Sequence, residues 1–446
     1  MKAIKLILAI LFISLNLTAQ TQLTVYNHGQ ALVKENFSRT IRAGVSELEI
    51  EDVAESLNPS SVKLSSDQGL MVLEQNYRYD LVDQNKLLKK YLGAEVTVVM
   101  QNDKKITGEL LSYTQGALVI KGRTGTDILQ RSFVGSIKCP TPKERLYVRP
   151  TLSWRVQSDQ VGKKDLKLSY LTNNISWTAE YVAVLDDSDT EMDLSSWISL
   201  NNRSGKDYIE AKLKLVAGDL NRASSFDTEM DFAAVTRFSA KMAKPVEERS
   251  FFEYHLYDIG FPVTVNNQEE KQIQWLNPTQ IKTEKRYIYA GRSSQFENIP
   301  IKVMFTNDKK TGTGMALPAG IVRLFKADTD GALELIGEDN LKHTSKDDLV
   351  TFEVGKAYDV KGQYDVLDRR SKQDRYREED VRITLANRKD EAVEIDVIQS
   401  VGYQNWEIVK ASSDHTKLDA SRVKFIVSVP ANSEQILTYT TRISLK

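Results

Sequence analysis

The chain of 446 residues has 60 Lys and Arg against 61 Asp and Glu, a formal net charge of -1, and 41% hydrophobic residues. A chain of this length exceeds what one hydrophobic core usually supports, so we expect about two to four domains. Because binding to nucleic acid or to an anionic bilayer requires an excess of basic residues, the balanced charge disfavours both partners.

The first residues carry the pattern of a secretory signal peptide. Lys2 and Lys5 precede an apolar run that ends at Leu15, and a Leu-Thr-Ala cleavage motif follows. The run is shorter than the ~20 apolar residues of a membrane span, which favours removal over a retained anchor. Gln20 stands where a lipoprotein carries cysteine. The mature chain is therefore predicted to be exported without a transmembrane span, with the periplasm as the favoured location and secretion or surface association as the alternatives.

The mature chain starts with strand patterns and then carries one helix. In LTVYNHGQALVKENFSRTI apolar and polar residues alternate, as in strands with one buried face, so residues 20–84 are predicted to form an N-terminal β domain. DLVDQNKLLKKYLG predicts a helix, with Asp80 or Asp83 as its cap and Gly93 as its end. Its apolar face consists of Leu81, Leu87, Leu88, Tyr91 and Leu92.

Short strands separated by Asn-Asp and Gly turns follow the helix and predict a small barrel over residues 85–141. The pattern resembles the Sm-like or SH3-like barrel, with Gly93 and Gly108-Glu109-Leu110 at the usual positions. An Sm-type RNA site needs an aspartate and asparagine loop, where this chain has Ser112-Tyr113-Thr114-Gln115-Gly116, so a spacer or protein-contact module is predicted. Its predicted core is Leu88, Leu92, Val96, Val98, Ile106, Leu110, Leu118, Ile120, Ile128, Val134 and Ile137.

The cysteine and the histidines give little support to catalysis or zinc binding. Cys139 has no histidine near it in sequence and is predicted to pack as a small apolar residue rather than to act as a nucleophile. The histidines stand singly, which favours ordinary core or surface roles. They are His28, His255, His343 and His415.

An acidic loop, DSDTEMD, is the best metal candidate. Its alternating carboxylates are the kind of oxygen ligand that calcium takes. The loop lacks the glycine and the distal glutamate of a helix-loop-helix calcium site, which favours a solvated acidic loop and no cofactor. The sequence leaves calcium binding as the alternative. The carboxylates are Asp187, Asp189, Glu191 and Asp193.

Large aromatic residues admit two interpretations. Trp177, Tyr181 and Trp197 have the side chains of a sugar-stacking platform, but aromatics at strand spacing are more typical of a core. The same ambiguity applies to Trp275 and Trp406.

The stretch NNRSGKDYIEAKLKLVAGD, residues 201–219, resembles a binding site because it combines amides, an arginine and a serine on a glycine turn. Its periodicity favours architecture instead, namely a strand, a turn and a second strand. In the first strand Ile198, Leu200 and Asn202 alternate with Trp197, Ser199 and Asn201. In the second strand Ala211, Leu213, Leu215 and Ala217 share one face, and Lys212 and Lys214 lie on the opposite, solvated face.

Three further segments are predicted to be connections. Residues 223–250 lack strand alternation and predict a mobile loop, and residues 369–380 are dense in charge and predict a solvated hairpin. A partner-binding segment is the alternative for each of the two. Gly312-Thr313-Gly314 lacks the flanking strand and helix of a dinucleotide site and is interpreted as a hairpin tip. Since the motifs of serine hydrolases, zinc proteases and P-loop proteins are absent, an enzyme is disfavoured.

Several stretches together resemble a known family. YNHGQALVKENFSRTIRAGVSELEIEDVAESLNPSSVKL is similar to the N-terminal domain of the exported, mucoidy-inhibitor-like proteins of Gram-negative bacteria. LSYLTNNISWTAEYVAVL, MDLSSWISLNNRSGKDYIEAKLKLVAGDLNR, FFEYHLYDIGFPVTVNNQEEKQIQWL and VRITLANRKDEAVEIDVIQSV resemble their larger domain, domain of unknown function 4139. Many members carry a coiled coil where this chain has the small barrel. The resemblance implies an exported β-rich architecture without established catalytic residues.

The sequence thus predicts a mainly β, multi-domain β-sandwich architecture with an inserted small Sm/SH3-like barrel and few short helices. The predicted segments are residues 1–19 (signal), 20–84 (N-terminal β domain), 85–141 (barrel) and 142–446 (C-terminal β-sandwich region). The favoured function is non-enzymatic binding of an envelope protein or a surface polymer, with no nucleic acid and no cofactor. A hydrolase with carboxylates assembled by the fold and a structural assembly factor remain the alternatives.

Overall fold

The computed structural model describes most of the chain. The described residues are 20–79, 84–141, 145–218, 247–251, 254–372, 375–401 and 405–444. The predicted signal segment, the residues from Asp80 to Asp83, Asp219 and all but the end of the predicted mobile loop lie outside them. That end, from Glu247, belongs to a strand instead of a loop.

Within these ranges the protein is mainly β with few short helices, as predicted. Its one described α-helix is α1 (Gln84–Lys89), and two single 3-10 turns occur at Pro59–Ser61 and Arg131–Phe133. The strands are β1 (Gln20–Tyr26), β2 (Gln30–Ile41), β3 (Gly44–Glu51), β4 (Lys63–Ser65), β5 (Leu70–Arg78), β6 (Glu95–Met100), β7 (Lys105–Tyr113), β8 (Ala117–Lys121), β9 (Thr126–Gln130), β10 (Val134–Lys138), β11 (Thr151–Ser158), β12 (Gly162–Asn173), β13 (Ile175–Leu185), β14 (Glu191–Asn202), β15 (Tyr208–Ala217), β16 (Glu247–Phe251), β17 (Tyr254–Val265), β18 (Glu269–Lys282), β19 (Glu284–Tyr289), β20 (Glu297–Thr306), β21 (Gly320–Ala327), β22 (Leu333–Leu341), β23 (Leu349–Lys372), β24 (Tyr376–Asn387), β25 (Val393–Ser400), β26 (Trp406–Ala411), β27 (His415–Lys417), β28 (Arg422–Val429) and β29 (Ser433–Ser444).

The chain divides into two compact units. The first comprises Met1–Ser176, Asn201–Lys214 and Phe261–Glu269, and the second comprises Trp177–Leu200, Leu215–Gly260 and Glu270–Lys446. The first unit contains the sheets β3-β11-β5 and β10-β6-β7-β8-β9, and strands β1, β2, β4 and β12 of the sheet β16-β17-β15-β1-β2-β12-β4. The second unit contains the sheet β26-β29-β24-β23-β20-β19-β25-β28-β27 and most of the sheet β18-β14-β13-β21-β22.

The five-stranded sheet β10-β6-β7-β8-β9 has its own apolar core, closed on one side by α1. Most of the predicted core is confirmed. Cys139, predicted to be a small buried apolar residue, packs against this core but is only half-buried. The Sm-like identity of this sheet stays a prediction. The confirmed buried residues are Leu88, Val96, Val98, Leu110, Leu118 and Ile120, with Ile106, Val134 and Ile137 partly buried around them.

The prediction of burial is wrong for two residues of that core. The first is Leu92, whose side chain is exposed. The helix α1 ends at Lys89, so its apolar face does not extend to residue 92. Tyr91 packs inward in its place. The predicted helix end at Gly93 is therefore wrong: turns follow Lys89, and Gly93 lies in them with a φ of +78°, a conformation that glycine adopts without strain.

The second wrong residue is Ile128, which is 74% exposed. In β9 it pairs with Val119 of β8, whereas its neighbour Leu129 pairs with Leu118. Leu118 and Leu129 are buried. Because side chains alternate along a strand, a one-residue error in phase moves a residue from the core to the solvent face.

The stretch that begins at Asn201 is architecture, as its periodicity predicts. Asn202 ends β14 with no exposed surface, and its amide donates to the carbonyls of Lys206, Val265 and Asn266 at 2.9–3.3 Å. Its side-chain oxygen accepts from the N–H and hydroxyl of Ser204. Asn202 therefore closes the corner between β14 and β15 and joins it to the turn between β17 and β18.

A second corner of the same design follows β24. The buried amide of Asn387 donates to the carbonyls of Glu391, Val429 and Pro430 at 2.8–3.2 Å, and its oxygen accepts from the N–H of Lys389. The pattern matches that of Asn202. In both cases the side-chain amide donates to the carbonyl of the residue four positions later in the sequence and to two consecutive carbonyls of a later turn. A buried amide with this many partners is a structural device, because an unpaired buried polar group is costly.

The Gly312-Thr313-Gly314 segment is not a hairpin tip, so that prediction is wrong. It connects β20 to β21, which belong to different sheets. The buried Asn307 accepts hydrogen bonds from the N–H and hydroxyl of Thr313. A Cβ at Gly312 would lie 2.6 Å from the Asn307 backbone, so glycine permits this close approach.

Candidate functional site

Two of the three predicted platform aromatics belong to the core of the second unit. Trp177 and Tyr181 are buried, and Tyr257 and Trp275 pack against them edge-on with ring centroids 5.4–6.5 Å apart among the four. Tyr181 donates its hydroxyl to the carbonyl of Pro318 at 2.7 Å, and burial raises its pKa well above the usual value. These rings stabilise the fold and offer no open face to a sugar.

The side chain of Trp197 points away from this aromatic cluster. Its neighbour Ser196 accepts a hydrogen bond from the buried indole of Trp275, so Ser196 faces the aromatic core. Side chains alternate along β14, and Trp197 therefore faces away, with 38% of its surface exposed. Trp177, Tyr181 and Trp197 do not form a single platform.

The acidic loop is held by lysines and backbone N–H groups. The Asp189 carboxylate accepts from the ammonium groups of Lys285 at 2.6 Å and Lys326 at 2.5 Å. Burial alone would raise the pKa of Asp189, but the two ammonium groups outweigh it and lower the pKa. Asp187 and Asp193 are exposed, and Glu191 accepts from the amide of Gln280. The described part of the chain contains no group of three or more metal-ligating side chains that could hold an ion.

The histidines take part in separate local contacts. His343 accepts a hydrogen bond from the backbone N–H of Ala319 at its Nδ1, and the His415 ring lies 5.7 Å from the Phe425 ring. His28 is exposed and His255 is half-buried. Burial raises the pKa of the Cys139 thiol, which disfavours the thiolate that a nucleophile requires.

An open groove of about 470 Å³ lies at one end of the nine-stranded sheet, and we call it the Trp406 groove. Strand pairing builds it: Trp406 of β26 lies opposite Ile443 of β29, and Tyr376 of β24 lies opposite Ser444. The described residues that line it are Arg375, Tyr376, Asn405, Trp406, Glu407, Lys417, Arg442 and Ser444.

Aromatic rings of the Trp406 groove hold two of its three cations in place. The Lys417 ammonium lies 4.5 Å from the Trp406 ring centroid, and the Arg442 guanidinium lies 4.8 Å from that of Tyr376. The Trp406 indole donates to the carbonyl of Ala420 at 2.7 Å, which fixes the ring. Such contacts between cations and rings orient the charged group without neutralising it.

The groove carries an excess of positive charge. Arg442 lies between Glu378 and Glu407 on neighbouring strands and binds them at 2.7 and 2.9 Å. Its hydrogen bonds to Glu378 hold the pKa of Arg442 above its usual range. Within the described chain, Arg375 and Lys417 form no ion pair. Two cations therefore remain available to an anionic ligand.

A second hollow, of about 360 Å³, lies beside β22 and β23 and is mainly acidic. Asp339 accepts from the backbone N–H of Glu353 at 2.7 Å, and Glu338 binds Arg323 at 3.1 Å. Lys302 lies 3.7 Å from the Glu353 carboxylate. Its carboxylates already have partners, so this hollow is a weaker candidate than the Trp406 groove.

The sequence singles out two parts of the groove, namely Trp406 and the charged segment 369–380 that contains Arg375 and Tyr376. Trp406 was an ambiguous aromatic, and residues 369–380 were predicted to be a charged hairpin, which the pairing of β23 with β24 confirms. Nothing in the sequence predicts that Arg375, Lys417 and Arg442 converge, because they come from three separate stretches. Strand pairing alone brings them together.

The fold and the groove define a mainly β, multi-sheet protein with an open cationic groove and few helices. Among the described residues, none of the helices is long and apolar enough to cross a membrane. The chain belongs to the family described as Domain of unknown function (DUF4139), whose model matches residues 166–445. No curated protein matches the chain.

Proposed function

We propose that this chain is an exported, non-enzymatic binding protein of the cell envelope, related to the mucoidy-inhibitor-like group. In this proposal residues 1–19 are a signal peptide, and the mature chain works in the periplasm or beyond. It binds an envelope protein or a surface polymer through its β domains. The observation that carries the proposal is the Trp406 groove, which combines concave shape with available cations.

The carboxyl groups with clearly shifted pKa values are hydrogen-bond acceptors rather than candidates for a general acid. A glycosidase-type general acid needs a raised pKa, which burial or a second carboxylate provides. In the described chain the clearly shifted carboxyl groups are all shifted to lower pKa, mostly by hydrogen bonds from N–H, hydroxyl, ammonium or guanidinium groups. They are Asp186, Asp189, Asp308, Asp380, Glu391 and Asp419.

One feature favours the alternative of a structural assembly factor. Strand β5 is at the edge of its three-stranded sheet, and Met71, Val72 and Leu73 are exposed in a continuous apolar run. Exposed apolar edge strands are typical sites of strand addition by another polypeptide. A stable stoichiometric complex that is lost in Met71→Lys, with the groove dispensable, would favour this alternative.

A crosslinked pull-down from the native envelope tests the proposed function. The mature chain is the bait, beside the double variant Arg375→Gln and Lys417→Gln. Arg369→Gln is the matched control, since Arg369 lies on the same hairpin but outside the groove. We expect one envelope component to be retained by the wild type and the control and lost by the double variant. Retention of nothing by the wild type, or cleavage of an envelope polymer by it, would contradict the proposal.

A further inference from the structure

We infer that the Trp406 groove binds a polysaccharide that contains uronic acids, in which hydroxyl-rich sugar rings carry carboxylates. This inference rests on the binding function proposed above and specifies the ligand class. The volume of about 470 Å³ suits a few linked sugars, and the opening to solvent allows the polymer to continue on either side.

Two cations are positioned to bind the carboxylates of such a ligand. Arg375 is exposed directly before β24, and Lys417 is held on the ring of Trp406 at 4.5 Å. Neither forms an ion pair in the described chain. Charge-assisted hydrogen bonds from guanidinium and ammonium groups to carboxylates are among the strong interactions in recognition.

Glu407 favours a sugar over a simple anion or an acidic peptide. Its side chain is 61% exposed at the groove and binds Arg442 through one oxygen at 2.9 Å. A carboxylate accepts hydrogen bonds and cannot donate them, so sugar hydroxyls match it. The side chains of an acidic peptide are acceptors only, and Glu407 would repel them. The combination of free cations with a carboxylate therefore matches a ligand that has both carboxylates and hydroxyl donors.

Calorimetric titration of the mature full chain tests this inference. The probes are hexagalacturonate, neutral maltohexaose and poly-L-glutamate, each at two salt concentrations. We expect salt-dependent binding of hexagalacturonate alone. Arg375→Gln and Lys417→Gln should each weaken it about tenfold, the loss expected for one charge-assisted hydrogen bond. Glu407→Gln should improve binding of poly-L-glutamate relative to the wild type.

Matched controls separate a local effect from a general one. Lys410→Gln changes an exposed cation on β26, the strand that contains Trp406 and Glu407. Lys410 lies outside the groove, so this substitution should leave binding unchanged. Thermal melts check that each variant is folded. No binding of hexagalacturonate, equal binding of poly-L-glutamate, or binding insensitive to both groove substitutions would overturn the inference. If the titration overturns the inference but the pull-down still captures a component through the groove, the proposed binding function stands and only the ligand class is wrong.

Discussion

Single buried polar residues hold this fold at its corners. Asn202 and Asn387 each end a strand and donate to three carbonyl groups, and both are fully buried. No apolar side chain can supply those donors, so the carbonyls would lose their partners on substitution. This explains why a stretch rich in amides resembles a binding site in the sequence and is a structural corner in the fold.

Asn202→Ala should destabilise the protein by about 2–3 kcal/mol, the cost of leaving buried carbonyl groups unpaired. Asn201→Ala is the matched control, because the neighbouring Asn201 is half-buried and faces away from that corner. Urea unfolding of both variants measures the difference. Equal effects of the two substitutions would show that the buried hydrogen bonds of Asn202 do not stabilise the corner.

Asp189→Asn should cost about 1–3 kcal/mol, because Lys285 and Lys326 would lose their shared carboxylate. The folded-state pKa of Asp189 is lowered, so its contribution is present above the unfolded value of about 3.9 and is lost as pH falls through the folded value. Melting temperatures of wild type and variant should therefore differ at pH 7 and converge as the pH falls through the lowered folded-state pKa of Asp189. Asp187→Asn, which changes an exposed neighbouring residue, should alter the melting temperature little. A difference between wild type and Asp189→Asn that stayed constant across this pH range would show that the ionised carboxylate does not provide the stability.

Among the secondary-structure elements, the alternation of apolar and polar residues predicts well where strands occur. It predicts less well which side chains of a strand face the core. In β15, Leu213 and Leu215 are buried while Lys212 is exposed, as the pattern requires. In β9 the short sequence TDILQ contains two adjacent apolar residues, and either one fits an inward face. Only the pairing with β8 decides between them, and that information lies in the partner strand.

Leu129→Ala should destabilise the small five-stranded sheet by about 2–5 kcal/mol as a core truncation, whereas Ile128→Ala should cost less than about 0.5 kcal/mol. The physical reason is the burial of Leu129 against the exposure of its neighbour. Thermal melts of the full chain, read with limited proteolysis of this sheet, compare the two. The opposite ranking would mean that β9 pairs with β8 in the other phase.

At the scale of the whole molecule, the sequence predicted the class of the fold but not the candidate site. Period-two alternation is local, so the mainly β class and most strands follow from it. The crossing from β20 to β21 between sheets and the gathering of Arg375, Lys417 and Arg442 depend on long-range pairing. No short sequence window contains that information.

Site-specific photo-crosslinking in the native host tests the central claim, that the chain binds its envelope partner in the Trp406 groove. Tyr376→p-azidophenylalanine places a similar aromatic crosslinker in the groove. Tyr358→p-azidophenylalanine is the control, since Tyr358 is 82% exposed on β23 of the same sheet but outside the groove. We predict an adduct with one envelope component from position 376 and none from position 358. Equal adducts from both positions, or an adduct from position 358 alone, would contradict the claim.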